Sequence, residues 1–231
     1  MGSATKNHAD EDLIQIYQNA ENAMYRNKTA RKKGYERTAL KDMTELLHKR
    51  SIHGEMHDRN TGYLCENMAK ALNWPDAHIK NLRDAGYYHD IGKIVLKPDL
   101  LNKAGPLTAT EEYEKQQHPI VGYRIMNLFD HTLDLAYAVY SHHEKWDGSG
   151  YPKGLKGVEI PIQSRIIALA EQYDHLRHRQ MKSALTAEEA IQRLESLSGV
   201  HYDPDLVPIF AEVARAFERE QADRHIEPSG R

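Results

Sequence analysis

Seven side chains of metal-binding type punctuate the middle of this 231-residue chain, and any fold it adopts must bring them together. They are His57, His89, Asp90, His118, His142, His143 and Glu171. Imidazole and carboxylate hold divalent transition ions without help from thiolates. The adjacent pairs His89-Asp90 and His142-His143 each aim two ligands into one region from a single stretch of backbone. Seven ligands exceed what one six-coordinate ion can use once water and substrate take their places. The spacing therefore predicts at least two ions and metal-assisted hydrolysis.

Composition narrows the setting. Charged residues make up 28% of the chain but the net charge is only -3, so no bulk charge recommends DNA, RNA or a membrane surface as partner. The single Cys65 excludes an intramolecular disulfide and fits a reducing, cytoplasmic compartment. No run of about 18 apolar residues predicts a membrane span, and the polar first residues predict no signal peptide. Met1-Gly2-Ser3 reads as a cloning remnant, which leaves open a longer native N-terminus.

Helical periodicity recurs along the chain while strand-like alternation is scarce. Leu13, Ile16, Tyr17, Ala20 and Met24 share one helical face, followed by a basic linker with Lys28, Arg31, Lys32 and Lys33. Helical patterns resume over 38–48 and 53–72, and Pro75-Asp76 opens the next helix. Thr108 with Glu111 and Thr186 with Glu189 have capping-box spacing and announce two further helix starts. Residues 147–161, rich in Gly and Pro, form a loop, and the charged tail after Phe217 frays. The expectation is an all-α protein. A helix and basic linker over 1–37 precede one helical domain over 38–231.

Within His89-Asp90-Ile91-Gly92-Lys93, Asp90 is the natural bridge, because a carboxylate can span two cations whereas a neutral imidazole binds one. Gly92 lets the backbone turn just after the ligands, and Lys93 sets a cation where phosphate would lie. His118-Pro119 follows a capped helix. On a helix, His142 and His143 would diverge by about 100° and serve two adjacent ions. Glu171 follows the apolar stretch 166–170, which buries its acid unless a cation meets it. Asp174, on the same face, is open to three roles: orienting a ligand, donating a proton, or standing in solvent. His53 lies one turn before His57 and offers a further ligand. The remaining histidines, among them His48 and His178, have no such partners and read as solvated or packing residues.

The segments HDIGK at 89–93, HHEKWDGSGYPKGL at 142–155, PIQSRIIALA at 161–170 and LTAEEAI at 185–191 resemble the HD-GYP domain. The likeness runs from about His57 to about Phe217. It implies an HD-domain helical bundle belonging to the metal-dependent phosphohydrolases. Better-known members of that family open cyclic di-GMP to pGpG and sometimes onward to GMP. Some members act on cyclic GMP-AMP, and some lack activity. The family's ligand positions fall on His57, His89, Asp90, His118, His142, His143 and Glu171, and its phosphate-contacting lysine on Lys93. Its signature-loop tyrosine falls on Tyr151. Two further phosphate-binding positions match Arg179 and Lys182, which share one helical face.

The departures are Glu171 where aspartate is usual, His53 where some members carry a third-metal glutamate, and His175 in place of a small residue, where it could crowd the pocket or alter which base is accepted. Two ions, iron or manganese, follow from this reading, with a third if His53 binds. Ala23-Met24-Tyr25-Arg26-Asn27-Lys28 resembles the end of a GGDEF domain and hints at an upstream cyclase-like or sensor module. The first helix's apolar stripe suits such a module or a second copy in a homodimer.

The resulting expectation is a cyclic di-GMP phosphodiesterase in bacterial second-messenger signalling, with Asp90, Lys93 and Asp174 catalytic. Lys93, Tyr151, Arg179 and Lys182 would bind the substrate. Two alternatives stand beside it: a catalytically impaired module that binds metal and cyclic dinucleotide, and a phosphodiesterase for cyclic GMP-AMP.

Overall fold

The computed structural model describes residues 24, 36, 38–52, 54–178 and 184–226. The chain divides into two compact units, Met1–Glu45 and Leu46–Arg231. In the first, residues 38–45 are helical, the Thr44 hydroxyl donates back to the Leu40 carbonyl at 2.9 Å, and Lys41 pairs with Glu45 one turn on. The expected extension over 1–37 lies outside the described residues apart from Met24 and Glu36.

The second unit is helical throughout, and no strand forms among its described residues. After helical residues 46–50 come α1 (Gly54–Ala71), α2 (Asp76–Tyr88) and a 3-10 turn over Ile91–Val95. Next are α3 (Pro98–Leu101), α4 (Ala109–Lys115), α5 (His118–Met126), a second 3-10 turn over Asp130–Leu135, and α6 (Ala136–Tyr140). A third 3-10 turn (Gly157–Glu159) lies in the long loop before α7 (Ile162–His178), α8 (Ala187–Glu195) and α9 (Leu206–Ile226). The expected all-α class is borne out.

Local chemistry sets these boundaries. Pro75, fixed in φ, stands immediately before α2. At α4 the Thr108 hydroxyl accepts from Glu111 N while the Glu111 carboxylate accepts from Thr108 N at 2.7 Å. Thr186 and Glu189 repeat this reciprocal cap at α8, the Thr186 N–H reaching Glu189 at 2.8 Å. Each cap satisfies N–H groups that the first helical turn leaves orphaned.

The core gathers around α7, which packs against α1, α2, α6, α8 and α9. Ile166, Ile167, Leu169, Ala170 and Tyr173 are fully buried, so α7 is enclosed on most of its circumference. Leu64 and Met68 of α1, Leu82 of α2, Ile191 of α8 and Phe210 of α9 complete the apolar centre. The α1–α2 crossing is tight. A Cβ on Gly86 would stand 2.8 Å from Cys65 Sγ and 3.1 Å from the Gly62 backbone, so glycine is what lets the helices approach.

α9 runs further than its charged sequence predicts, through Phe217 to Ile226. Its acids find partners: Glu218 accepts from Arg177 (2.6 and 2.8 Å) and Tyr173 (2.9 Å), and Glu220 accepts from the Tyr63 hydroxyl. No helix among the described residues is long and apolar enough to cross a membrane.

Candidate metal centre

Three histidines are aimed by the backbone beside them. His89 caps the end of α2 and its Nδ1 donates to the Gly86 carbonyl at 2.7 Å. His118 opens α5, with Nδ1 on Lys115 O at 2.6 Å, and His142 follows α6, with Nδ1 on Val139 O at 2.6 Å. In each case the acceptor is the carbonyl three residues back. A carbonyl can only accept, so the proton sits on Nδ1 and the Nε2 lone pair faces inward. His57 is aimed by a longer route: its Nδ1–H donates to Asp174 Oδ2 of α7 at 2.7 Å.

The inward nitrogens gather in two groups. His118 Nε2 lies 3.3 Å from His142 Nε2 and 3.1 Å from His143 Nε2. Two nitrogens bound to one ion at about 2.0–2.1 Å stand about 2.9–3.4 Å apart, so this spacing fits a shared cation. The second group is His57, Asp58, His89 and Asp90, whose ligand atoms all lie within 4.8 Å of one another. Asp90 stands between the two. Its Oδ1 is 3.3 Å from His118 Nε2, while Oδ2 is 3.5 Å from His89 Nε2 and 3.9 Å from His57 Nε2. Lys93 Nζ also contacts Oδ2.

His89 Nε2 and Asp90 Oδ1 are buried without a hydrogen-bond partner. An unsatisfied buried acceptor costs on the order of 1–3 kcal/mol, and here one points to each group, Asp90 Oδ1 toward His118 and His89 Nε2 within the second, where a cation would satisfy it. The donor set of imidazoles and carboxylates suits a divalent transition ion.

The electrostatics agree. Burial lowers His89 to about 3 and holds His118 and His143 well below the usual imidazole range, so all three remain neutral ligands. Burial works against charge on Asp90, yet the Lys93 ammonium, with protonated His57 adding to it, outweighs burial and keeps the carboxylate ionised. Lys93 stays protonated for the reciprocal reason, with Asp90 and Glu171 overcoming its burial. His57 differs. Burial alone would lower it, but the Asp174 hydrogen bond and the charges of Asp90, Asp174 and Asp58 raise it to about 9.

Two glycines make the assembly possible. A Cβ on Gly92 would overlap the His118 carbonyl, so only glycine lets the 3-10 turn carrying Lys93 lie against the start of α5. A Cβ on Gly150 would overlap the Glu144 and Lys145 backbone, where the 147–161 loop folds back. That loop is pinned by Glu144, whose buried carboxylate accepts from Lys153 N (2.7 Å) and Leu155 N (3.0 Å). Tyr151 stacks on His143 with centroids 4.8 Å apart and planes at 27°, and its N–H donates to His143 O. Burial pushes its hydroxyl pKa up, so it stays a protonated, polar-tipped ring.

Several expectations change. His142 and His143 sit in a turn after α6 rather than on a helix, and both nitrogens converge with His118 instead of diverging toward two ions. Glu171 lies nearby but outside both groups, its Oε2 3.9 Å from His143 Nδ1. Burial raises its pKa. Asp174 is buried with its oxygens already occupied, Oδ2 by His57 and Oδ1 by Asn60 (2.7 Å) and His178 (2.8 Å). Burial would raise its pKa, but the His178 and His57 hydrogen bonds hold it at about 2. The proton-donor role does not fit that geometry; of the roles left open, orienting His57 does. His175 is exposed at the surface of α7 and does not crowd the buried groups. His53, Arg179 and Lys182 lie outside the described residues.

Asp58, with His48 bonded to it at 2.8 Å, escaped the sequence reading, as did His178 and Asn60 on Asp174. Asp58 carried a signal: His57-Asp58 repeats the His-Asp dipeptide of 89–90. The other three carried none, since their partners are remote or distinguished only by the folded arrangement.

A family model described as HD domain matches residues 38–206. Over 203 residues the chain is 34% identical to the cyclic di-GMP phosphodiesterase of Thermotoga maritima, covering 83% of this chain and 55% of that protein. Over 174 residues it is 33% identical to the 3'3'-cGAMP-specific phosphodiesterase 2 of Vibrio cholerae, covering 74% of this chain and 33% of that one. The chain thus spans about half the length of the first relative and a third of the second. A solved structure of an HDG"Y"P protein from Bdellovibrio bacteriovorus shares the fold, with a TM-score of 0.57 at 19% identity, covering 70% of this chain and 52% of that one.

Proposed function

This chain belongs to the HD domain family, and from that premise we propose that it is a metal-dependent phosphodiesterase hydrolysing cyclic di-GMP to pGpG. The observation that carries the reading is Asp90, ionised, buried and set between two groups of inward-facing imidazoles. His57, His89 and Asp90 would hold one divalent ion and His118, His142, His143 and Asp90 a second, with Glu171 beside His143. Iron and manganese suit this donor set, and His53 would add a third position. When bound, such ions stabilise charge on phosphoryl oxygens and lower the pKa of water.

The chain's own groups do the rest. Asp174 fixes the His57 tautomer, as outer carboxylates do for metal-binding imidazoles. Lys93 presents its ammonium beside Asp90, where it can offset phosphoryl charge. Tyr151 covers His143 and offers a flat, polar-tipped wall to a base. Arg179 and Lys182 would meet the remaining phosphate groups. The domain division at 37/38, an upstream cyclase-like or sensor module and a cytoplasmic setting belong to the same proposal.

A second reading, hydrolysis of cyclic GMP-AMP, is supported by the near-equal identity to a relative named for that substrate. The test is anaerobic reconstitution with iron(II) or manganese(II), followed by chromatography of products from each cyclic dinucleotide. Metal-dependent pGpG that disappears in Asp90→Ala is the expected result. Preferential turnover of cyclic GMP-AMP would move the assignment to the second substrate. Full metal occupancy with no turnover of either would leave a binding module.

A further inference from the structure

The His57 side of the centre contains a carboxylate that the reading above does not use. Asp58 is 3% exposed, and its ligand atom lies within 4.8 Å of those of His57, His89 and Asp90. Its Oδ2 is 2.8 Å from His48 Nε2. His48 comes from the helical residues just before α1 and packs edge-on against the ring of Tyr87, centroids 6.1 Å apart. The carboxylate is therefore aimed by a second residue, much as Asp174 aims His57.

Asp58 and Asp90 share one buried pocket, and their repulsion is offset only in part by His48 and His57 beside Asp58 and by Lys93 on Asp90. The same pocket contains His89 Nε2, buried and without a hydrogen-bond partner. Both costs vanish together if a cation occupies the space that the four side chains face.

We propose that Asp58, positioned by His48, is an additional metal ligand on this side of the centre. The inference rests on the reading of the site as a metal centre. One ion would then be held by two imidazoles and two carboxylates, and the other by three imidazoles and an oxygen of Asp90. The two positions differ in chemistry: the carboxylate-rich one favours harder ions such as manganese(II), and the imidazole-rich one favours softer ions such as zinc(II).

The test uses the full chain, stripped of metal with a chelator and titrated with manganese(II) alone by calorimetry, with free ion counted by electron paramagnetic resonance. Wild type should take up two ions. In Asp58→Asn one of the two should bind about 100-fold more weakly, at or beyond the upper end of the range for lost outer-shell partners, while the other is unchanged. His48→Gln should weaken the same site about tenfold. Thermal unfolding of the metal-free proteins separates a ligand from a structural contact: metal-free Asp58→Asn should melt no lower than wild type, because a charge facing Asp90 has been removed. If Asp58→Asn binds two ions with wild-type affinity and its metal-free form melts lower, Asp58 is only a partner for His48 and the inference is wrong. If Asp58→Asn does not fold, unchanged affinity in His48→Gln overturns the positioning claim. Wild type that takes up neither manganese, iron nor zinc would overturn the metal centre itself, a distinct failure.

Discussion

The histidines of the centre are held by two different means. His118 and His142, like His89, hydrogen-bond to a carbonyl three residues back, so the turn that carries each ring also fixes its tautomer. His57 depends on Asp174, 117 positions away, and Asp58 depends on His48. Burial keeps His118 and His89 neutral, while His57 is surrounded by carboxylates and held protonated in the absence of metal. An ion entering beside His57 would have to displace that ring's proton, whereas His118 would accept one as folded. The lesson is that equal ligand types need not make equal sites.

The largest effect should come from forcing the two sides apart. Gly92→Ala drives a methyl into the His118 carbonyl, and backbone cannot step aside as a flexible side chain would. A cost of about 3 kcal/mol or more is expected, at the upper end for overpacking. Metal content should fall on both sides together, read by thermal unfolding and elemental analysis. A variant that melts normally and retains both ions would show that the 3-10 turn and α5 can separate without harm.

Next in size is a change that touches one side alone. Asp174→Asn removes the charge that orients His57 and leaves the carbonyl-anchored rings untouched. Affinity for one ion should drop about 10–100-fold, with the other retained. No single side-chain substitution can do the same to His118 or His142, because their anchors are peptide carbonyls. Equal weakening of both ions would erase the distinction between the two sides.

This difference also decides what the sequence could reveal. Helix starts at 76, 109 and 187 were legible because proline and capping boxes act over three residues. Most of the residues that gather in the two groups were legible because adjacent pairs such as His89-Asp90 announce themselves in one dimension. The partners were not. His48, Asn60 and His178 are ordinary residues until folding sets them beside Asp58 and Asp174. The extension of α9 was hidden for the same reason, its acids being satisfied by Arg177, Tyr173 and Tyr63 from other helices. The reading of His142-His143 as helical failed because α6 ends at Tyr140, which turns both rings toward His118.

The protonation contrast gives a pH test of smaller scale. His57 titrates at about 9 in the metal-free protein against 6.5 without its surroundings. A base raised in this way contributes stability that is complete below 6.5 and is lost as pH climbs through about 9. The metal-free protein should therefore lose on the order of 3 kcal/mol across that window. Asp58, raised by burial to about 6, adds a loss of the same sign at lower pH. Melting temperature followed from pH 6 to 9 checks this, and Asp174→Asn should flatten the upper part of the curve. A wild-type curve already flat there would mean that His57 is neutral, like His118 and His143.

The smallest expected effect lies in the loop that covers the backbone-anchored side. Glu144 gives one oxygen to Lys153 N and the other to Leu155 N. Glu144→Gln retains one acceptor but turns an amide donor toward the second N–H, leaving it unsatisfied at a part-buried position. The loss should be about 1–2 kcal/mol. Tyr151 stacks on His143 from the same loop, so a loosened loop should raise KM several-fold and leave metal content unchanged. Loss of metal from the His118, His142 and His143 group in this variant would show that the loop, and not only the carbonyls behind His118 and His142, holds that group in place.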